Sequence, residues 1–157
     1  MSSGVEIRAE SPDGAATRAL FEQYLALLQD RLGRGFQPTE RIFATEAAFD
    51  GADGGAWRVL YDNGRAVACG GLRTLAPGIG EIKRMFVSQS VRRSGYGRQL
   101  LHELERIAVE LGHTRVRLLT TEVLSEARKL YAAEGYRVIE RIARENDPVE
   151  IWLEKDM

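Results

Sequence analysis

Two glycines one residue apart stand beside three arginines in the segment SVRRSGYGRQLL, residues 90–101, directly before a leucine-rich stretch. Gly95 and Gly97 would weaken the start of a helix unless the backbone there has another task. Backbone N–H groups at a helix N-terminus are unpaired and carry the positive end of the helix dipole, and glycine lets an anion approach them. The spacing therefore indicates a phosphate-binding loop.

The positive charge of this segment is local. Five basic residues and no acidic one lie between Lys83 and Arg98, although the whole chain has a net charge of −1. A nearly neutral chain has no global field that would draw it to nucleic acid or to a membrane surface. Local basic charge beside paired glycines suits a polyphosphate ligand. The plainer alternative is an ordinary helix start with solvated arginines.

Three phosphate-binding patterns compete for this loop. A Walker loop needs GxxxxGK[ST], and no such string occurs. The dinucleotide fingerprint GxGxxG would read GYGRQL at residues 95–100, with leucine in the third glycine position and no acidic residue ending the next strand. The third pattern, R/Q-x-x-G-x-G/A, is satisfied by RRSGYG at residues 92–97.

The elements that position this loop follow from hydrophobic periodicity and turn residues. Strands are predicted over 5–9, 56–61, 65–75, 80–87, 115–120, 136–142 and 150–155, and helices from Ser11-Pro12-Asp13 to Gly33, over 39–49, from Gly97 to Gly112, and from a Ser125 cap to Gly135. This order predicts an α+β fold, with a mixed, mostly antiparallel central sheet of about six to seven strands, helices on both faces and one βαβ crossover. Gly70-Gly71 and the imperfect alternation over 80–87 indicate a bulge.

The bulk properties fit one soluble domain spanning residues 1–157, because a chain of 157 residues with 44% hydrophobic content can bury a sizeable core. No apolar run approaches the ~20 residues of a membrane span. The N-terminus lacks the profile of a signal peptide, and Cys69 is the only cysteine, which excludes an intrachain disulfide and a zinc cluster of cysteines. A cytoplasmic protein is the simplest expectation.

Two stretches carry a resemblance to a known family. The segment EIKRMFVSQSVRRSGYGRQLLHELERIAVELG, residues 81–112, resembles the acetyl-CoA-binding core of the GNAT N-acetyltransferase superfamily. The segment SEARKLYAAEGYRVIERI, residues 125–142, is similar to the last helix and following strand of that family. The resemblance implies an N-acetyltransferase that uses acetyl-CoA as co-substrate and needs no metal.

The resemblance also implies positions for the cofactor. The pyrophosphate would bind the backbone N–H groups of residues 92–98, that is Arg92, Arg93, Ser94, Gly95, Tyr96, Gly97 and Arg98. The pantetheine arm would pair like an extra strand with the backbone of Met85, Phe86 and Val87. Leu124 stands where many relatives have asparagine, so we expect the polar contact made from that position to be either absent or supplied by Ser125.

Acetyl transfer to an amine needs removal of a proton from the amine, polarisation of the thioester oxygen and protonation of the departing thiolate. Glu81, at the start of the cofactor strand, is the predicted base, acting directly or through a water. Tyr131, in the place where the family holds a tyrosine near the cofactor sulfur, is the predicted acid, and the N–H of Val87 or a neighbour would polarise the carbonyl. An exposed strand carboxylate and a core tyrosine are the plainer alternatives for the two side chains.

The expected acceptor is a primary amine of a small molecule or amino acid rather than a protein N-terminus. Residues 34–36 and 143–149 are predicted to wall its site, because loops set specificity. A non-catalytic sensor that binds acyl-CoA is the alternative function, since it would keep the loop without needing Glu81 or Tyr131. The oligomeric state is left open, with a homodimer as the commonest arrangement.

Overall fold

Seven strands form a single sheet in the computed structural model, which describes residues 4–32, 55–91, 94–143, 145 and 148–157. The strands are β1 (Val5–Ala9), β2 (Ala56–Asp62), β3 (Arg65–Ala76), β4 (Ile79–Val87), β5 (Arg115–Thr121), β6 (Arg137–Ile142) and β7 (Glu150–Asp156), and the described helices are α1 (Ala15–Leu32), α2 (Tyr96–Glu110) and α3 (Ser125–Ala133). The helix predicted over 39–49 lies outside the described residues.

The strand order across the sheet is β1-β2-β3-β4-β5-β7-β6. Every neighbouring pair is antiparallel except β4 and β5, which run parallel and are joined through α2. The predicted mixed, mostly antiparallel sheet with one βαβ crossover is therefore confirmed.

Helices α1 and α2 pack on opposite faces of this sheet. Along β2, Trp57 and Val59 belong to the core under α1, whereas Ala56 and Leu60 belong to the core under α2. Side chains of a strand alternate between faces, so each helix covers one face. The apolar residues of α2 recur at helical spacing and are buried against the sheet: Leu100, Leu101, Leu104, Ile107 and Ala108.

A bulge interrupts the pairing of β3 with β4, as the sequence predicted. Between the pairs Cys69↔Phe86 and Gly71↔Lys83, β4 has one more residue than β3. Arg84 lies in this bulge with a φ of 59°, a left-handed conformation that is uncommon for a residue other than glycine. Gly70 faces the bulge, and a Cβ atom there would come within 2.8 Å of Met85 Cγ.

Strands β4 and β5 pair over only four residues, from Ile79↔Arg115 to Ile82↔Leu118. Beyond Ile82 the second half of β4 keeps its partner β3 but has no pairing with β5, which stays paired with β7 along its whole length. The sheet therefore opens into a cleft between the carboxyl halves of β4 and β5.

The glycines that end α2 and α3 lie where the sequence predicted them, but the predicted N-cap of α3 does not. Gly112 and Gly135, after α2 and α3, have φ values of 87° and 94°, as expected for glycines that end helices. The prediction that Ser125 caps α3 is wrong. Leu124 is the N-cap, without a side-chain hydrogen bond, and Ser125 is the first helical residue.

We predict that Gly70→Ala lowers the free energy of unfolding by ~1–3 kcal/mol, because the new methyl group overlaps Met85 in a packed interior. Urea denaturation of Gly70→Ala, Met85→Ala and the double variant measures the coupling between the two sites. The double variant should lose less stability than the sum of the single losses, since Met85→Ala removes the overlapping atom. Additive losses would show that Gly70 is not required for close packing against the bulge.

Candidate active site

The cleft between β4 and β5 continues into a cavity of about 810 Å³. Its walls come from α1, the second half of β4, the N-terminus of α2, and α3. The lining residues are Tyr24, Leu27, Met85, Phe86, Val87, Ser94, Gly95, Tyr96, Gly97, Arg98, Leu124, Glu126, Ala127, Lys129, Leu130 and Tyr131. A cavity of this size is typical of sites for cofactors and small molecules.

The segment with the paired glycines, residues 94–98, is called the glycine loop and forms one end of the cavity. Gly95 is the N-cap of α2, with a φ of 83° and no side-chain hydrogen bond to the helix. The N–H groups of the first turn therefore have no partner within the helix and can bind an anion. A Cβ atom on Gly97 would lie 3.1 Å from Leu130 and 3.3 Å from Val87, so glycine lets α2 begin close against α3 and β4. Arg92 and Arg93, predicted to contact phosphate, lie outside the described residues.

The open edge of β4 runs along the same cavity. Met85, Phe86 and Val87 all line it, in the stretch where β4 has lost β5 as a neighbour. The N–H of Ser88, directly after β4, donates to Val67 O of β3 at 2.8 Å. Because successive N–H groups of a strand point to opposite edges, the N–H of Val87 points away from β3, toward the cleft. The strand thus offers an unpaired donor to a ligand.

Tyr131 lies in the wall contributed by α3, and its side chain is buried. Its ring packs edge-on against Tyr136, with the ring centroids 5.9 Å apart. Burial, with a smaller effect of the neighbouring Tyr24, raises the pKa of Tyr131 well above the usual range for tyrosine. The phenol therefore stays protonated at neutral pH, as a general acid must.

The structure does not bring Glu81 into the cavity. Its carboxylate is buried and accepts a hydrogen bond from Arg73 Nε at 2.6 Å, in the part of β4 that still pairs with β5. The alternative of an exposed strand carboxylate is wrong, since only 1% of the residue is exposed. Ser125 is exposed and does not line the cavity, whereas its neighbour Leu124 does.

Sequence reasoning missed the contribution of α1. Tyr24 and Leu27 line the cavity from this helix. The guanidinium group of Arg31, in its last turn, donates to both carboxylate oxygens of Glu126 at 2.7 Å and to Val123 O at 3.0 Å, which ties α1 to the start of α3. No local pattern reveals a contact between residues 95 positions apart, so only the fold shows it.

The described residues contain no group of three or more histidine, cysteine, aspartate or glutamate side chains that could hold a metal ion. None of the helices in the described ranges is long and apolar enough to cross a membrane.

Comparison with known proteins agrees with this geometry. Solved structures with the same fold include an acetyltransferase from Streptococcus agalactiae, with a TM-score of 0.79 and 19% identity over 98% of this chain and 99% of that one. A GNAT-family acetyltransferase from Staphylococcus aureus gives 0.77 and 18% over 97% and 98% of the chains. A GNAT-family acetyltransferase from Elizabethkingia anophelis, solved with acetyl-CoA bound, gives 0.72 and 16% over 99% and 100%.

These identities establish a common fold and no more. The comparison with curated proteins gave no match. A family model described as the acetyltransferase (GNAT) family matches residues 18–136, which is more than half of the chain and includes the glycine loop, β4 and α3. The chain therefore belongs to the GNAT family of acetyltransferases and is an acyltransferase enzyme.

Proposed function

We propose that the protein transfers an acetyl group from acetyl-CoA to a primary amine of a small molecule or amino acid. The observation that carries this proposal is the cleft, in which the unpaired half of β4 and the N-terminal turn of α2 line one cavity of about 810 Å³. An elongated ligand with a peptide-like arm and a pyrophosphate matches these two walls. The acetyl-CoA bound to the relative from Elizabethkingia anophelis supports this choice.

The phosphate end of acetyl-CoA would bind at the start of α2. The donors are the N–H groups of residues 95–98, with the hydroxyl of Ser94 nearby. Arg98 and Lys129 add positive charge to this wall, although Arg98 also pairs with Glu134 at 2.8 Å. Arg92 and Arg93 stay predictions from the sequence, as do the cytoplasmic location and the homodimer.

The pantetheine arm would extend the sheet along β4. Its amides would hydrogen-bond to the open edge at Met85, Phe86 and Val87, as an added strand does. The N–H of Val87 would then polarise the thioester carbonyl, because it is the donor that points into the cleft.

The transfer itself would be a direct attack on the thioester. The amine nitrogen bonds to the carbonyl carbon, the C–S bond breaks, and the sulfur leaves as a thiolate that takes a proton from the Tyr131 hydroxyl. Tyr131 suits this step because it lines the cavity and a phenol carries its proton at neutral pH.

Removal of the amine proton needs a base near the reacting thioester. Glu81 is the base predicted from the sequence, but its carboxylate is held by Arg73 outside the cavity. The contacts favour a structural role, in which the pair fixes the registry of β3 and β4. Its role as a base, through water, stays a prediction that kinetics can decide.

The anion site is tested by Gly97→Asp. The new carboxylate would stand in the cavity wall where phosphate is expected, so the affinity for acetyl-CoA should fall by at least ~10-fold, about 1.4 kcal/mol. Isothermal calorimetry measures this change. Gln99→Asp is the matched control, because it adds the same charge to the same turn at an exposed position that does not line the cavity. Equal affinities for Gly97→Asp and Gln99→Asp would refute the anion site.

The acid is tested by Tyr131→Phe, which keeps the ring and removes the hydroxyl. We expect kcat to fall by ~10- to 1000-fold, while the affinity for acetyl-CoA barely changes. Tyr136→Phe is the control, since Tyr136 packs against Tyr131 but its hydroxyl donates to Glu105 at 2.7 Å and it does not line the cavity. A kcat within a factor of two of wild type would make Tyr131 a packing residue.

The pH profile gives a second test of Tyr131. Its pKa is raised, so the protonated form that can act as an acid persists through neutral pH and above pH ~10. We expect kcat of the wild-type enzyme to show no descending limb below pH ~10. A descending limb between pH 7 and 9 that Tyr131→Phe abolishes would contradict the burial of this phenol.

The role of Glu81 is tested by Glu81→Gln with two acceptor classes. If Glu81 draws the proton, the variant should be slow with an alkylamine, recover at high pH, and lose little with an arylamine that is already neutral at pH 7. If the ion pair is structural, Glu81→Gln and Arg73→Gln should lower the thermal midpoint and the activity together, equally for both acceptors.

A further inference from the structure

A second, smaller cavity adjoins the first, and β5 contributes to its wall. Its volume is about 40 Å³. The two cavities share five wall residues, which are Tyr24, Met85, Leu124, Ala127 and Tyr131. Because Tyr131 lines both cavities, the small one lies beside the place where the proposed function puts the reacting thioester.

Thr120 of β5 contributes a buried hydroxyl group to the small cavity. The residue lines the cavity and only 5% of it is exposed. Its Oγ1 atom is buried without a hydrogen-bond partner among the described residues. Buried polar groups in folded proteins are nearly always satisfied, because an unpaired one costs stability. An unpaired hydroxyl in a cavity wall therefore indicates a small polar group that binds there.

Most of the described wall around Thr120 is apolar, with Ile82, Met85, Leu118, Leu119, Leu124 and Ala127. Arg84 also lines the small cavity, but its guanidinium group lies over the ring of Phe21, 5.8 Å from the centroid, and Phe21 lines neither cavity. Burial against apolar walls penalises the charged form of an ionisable group. The small cavity therefore favours a polar group that is neutral.

The volume limits the size of this group. About 40 Å³ is room for a group of about the size of a water molecule, so a whole acceptor molecule cannot enter. The nitrogen of a primary amine is small enough, and the N–H of a neutral amine can donate to a threonine oxygen. An ammonium ion suits the cavity less, because it is charged and has three donors to satisfy. The rest of the acceptor would lie in the larger cavity.

We propose that Thr120 binds the amine of the acceptor in its neutral form. Oγ1 accepts a hydrogen bond from the amine N–H, which leaves the nitrogen lone pair to attack the thioester beside Tyr131. This inference rests on the proposed function and deepens it, because it names the group that recognises the nucleophile. Thr120 is then a catalytic residue, and the acceptor is an amine with no substituent on its nitrogen other than the carbon chain that carries it.

The protons balance in this scheme without a carboxylate in the small cavity. The ammonium form of the acceptor loses its first proton to solvent as the amine enters. As the N–C bond forms and the C–S bond breaks, the nitrogen loses a second proton to solvent and the thiolate takes one from the Tyr131 hydroxyl. Solvent then returns a proton to Tyr131. Entry as a neutral amine thus replaces the role predicted for Glu81, whose carboxylate is held by Arg73.

The first test compares primary amines with their N-methyl derivatives. Butylamine, benzylamine and glycine are paired with N-methylbutylamine, N-methylbenzylamine and sarcosine, and release of free thiol from acetyl-CoA reports the rate. The added methyl group has no room in the small cavity beside the nitrogen. Wild-type enzyme should favour the primary amine in at least one pair by ~10-fold or more in kcat/KM. Equal rates, or a preference for the N-methyl compounds, would overturn the proposal.

Two variants of Thr120 separate its hydroxyl from its shape. Thr120→Val keeps the shape and should lower kcat/KM for the primary amine by ~10-fold, whereas Thr120→Ser keeps the hydroxyl and should stay within a few-fold of wild type. The affinity for acetyl-CoA, measured by calorimetry, should not change in either variant. The thermal midpoint of Thr120→Val without ligand should hold or rise, because an unpaired buried hydroxyl has been removed.

Thr114→Val is the matched control for these variants. Thr114 lies just before β5, is exposed, donates to Gly78 O at 3.4 Å and lines neither cavity. Its substitution should leave kcat/KM unchanged. Wild-type kinetics in Thr120→Val would mean that the hydroxyl holds only a water molecule, and an equal loss in Thr120→Ser and Thr120→Val would mean that shape alone matters. Either result would overturn the proposal.

Proton release tests the neutral form of the bound amine without turnover. At pH 8 an alkylamine in solution is almost entirely protonated. Titration of the best primary amine of the panel into enzyme loaded with CoA, in buffers of different ionisation enthalpy, gives the number of protons released. Close to one proton per amine bound is expected. No release would show that the ammonium form binds and would overturn the proposal.

The two proposals fail in different ways. Acetylation of primary amines with wild-type kinetics in Thr120→Val would overturn the amine pocket and leave the acetyltransferase function standing. Absence of acetyl-CoA binding by calorimetry, or binding without acetylation of any primary amine, would overturn the proposed function itself.

Discussion

The separation of β4 from β5 after four residue pairs is the constraint on which the rest of the site depends. A sheet that stayed paired along β4 would have no open strand edge and no cleft. Because β5 continues its pairing with β7, only β4 turns away, and it carries Met85, Phe86 and Val87 along the cavity. Tyr131 of α3 lines the same cavity.

The bulge at Arg84 accompanies this separation and has two consequences. One extra residue in β4 bends the strand and increases its twist, which is how bulges redirect a strand near a functional site. It also holds Arg84 in a left-handed conformation, with a φ of 59°. Gly70 on β3 makes the close approach of Met85 compatible with the packing of Leu104. The stretch of β4 that lines the cavity, from Met85 to Val87, thus follows directly after this irregularity.

Most of the fold could be predicted from the sequence because its signals are local. The apolar face of α2, the glycines after the helices and the alternation in the strands all act within a few residues, and the strand boundaries agree within two residues. The paired glycines also predicted an anion-binding loop, which stays a prediction, and in the structure both glycines line the cavity. The imperfect alternation over residues 80–87 predicted the bulge.

Contacts between distant segments could not be predicted in this way. The sequence alone gives no partner for Glu81, because its pairing with Arg73 depends on the register of β3 against β4. His113, in the turn after α2, is buried against Gly80 of β4, a contact that no local pattern indicates. The wall that α1 supplies through Tyr24 likewise arises only when elements far apart in the chain meet.

Backbone hydrogen exchange with and without acetyl-CoA tests most directly whether the open edge of β4 binds the cofactor. The amide of Val87 and those of the first turn of α2, residues 96–98, should exchange more slowly when acetyl-CoA is bound. The amide of Ser88 is the internal reference, because it already donates to Val67 O and should change little. Protection of residues 96–98 and Val87 together is the predicted result. Binding of acetyl-CoA with no change at Val87 would contradict the account of the cleft as an open strand edge.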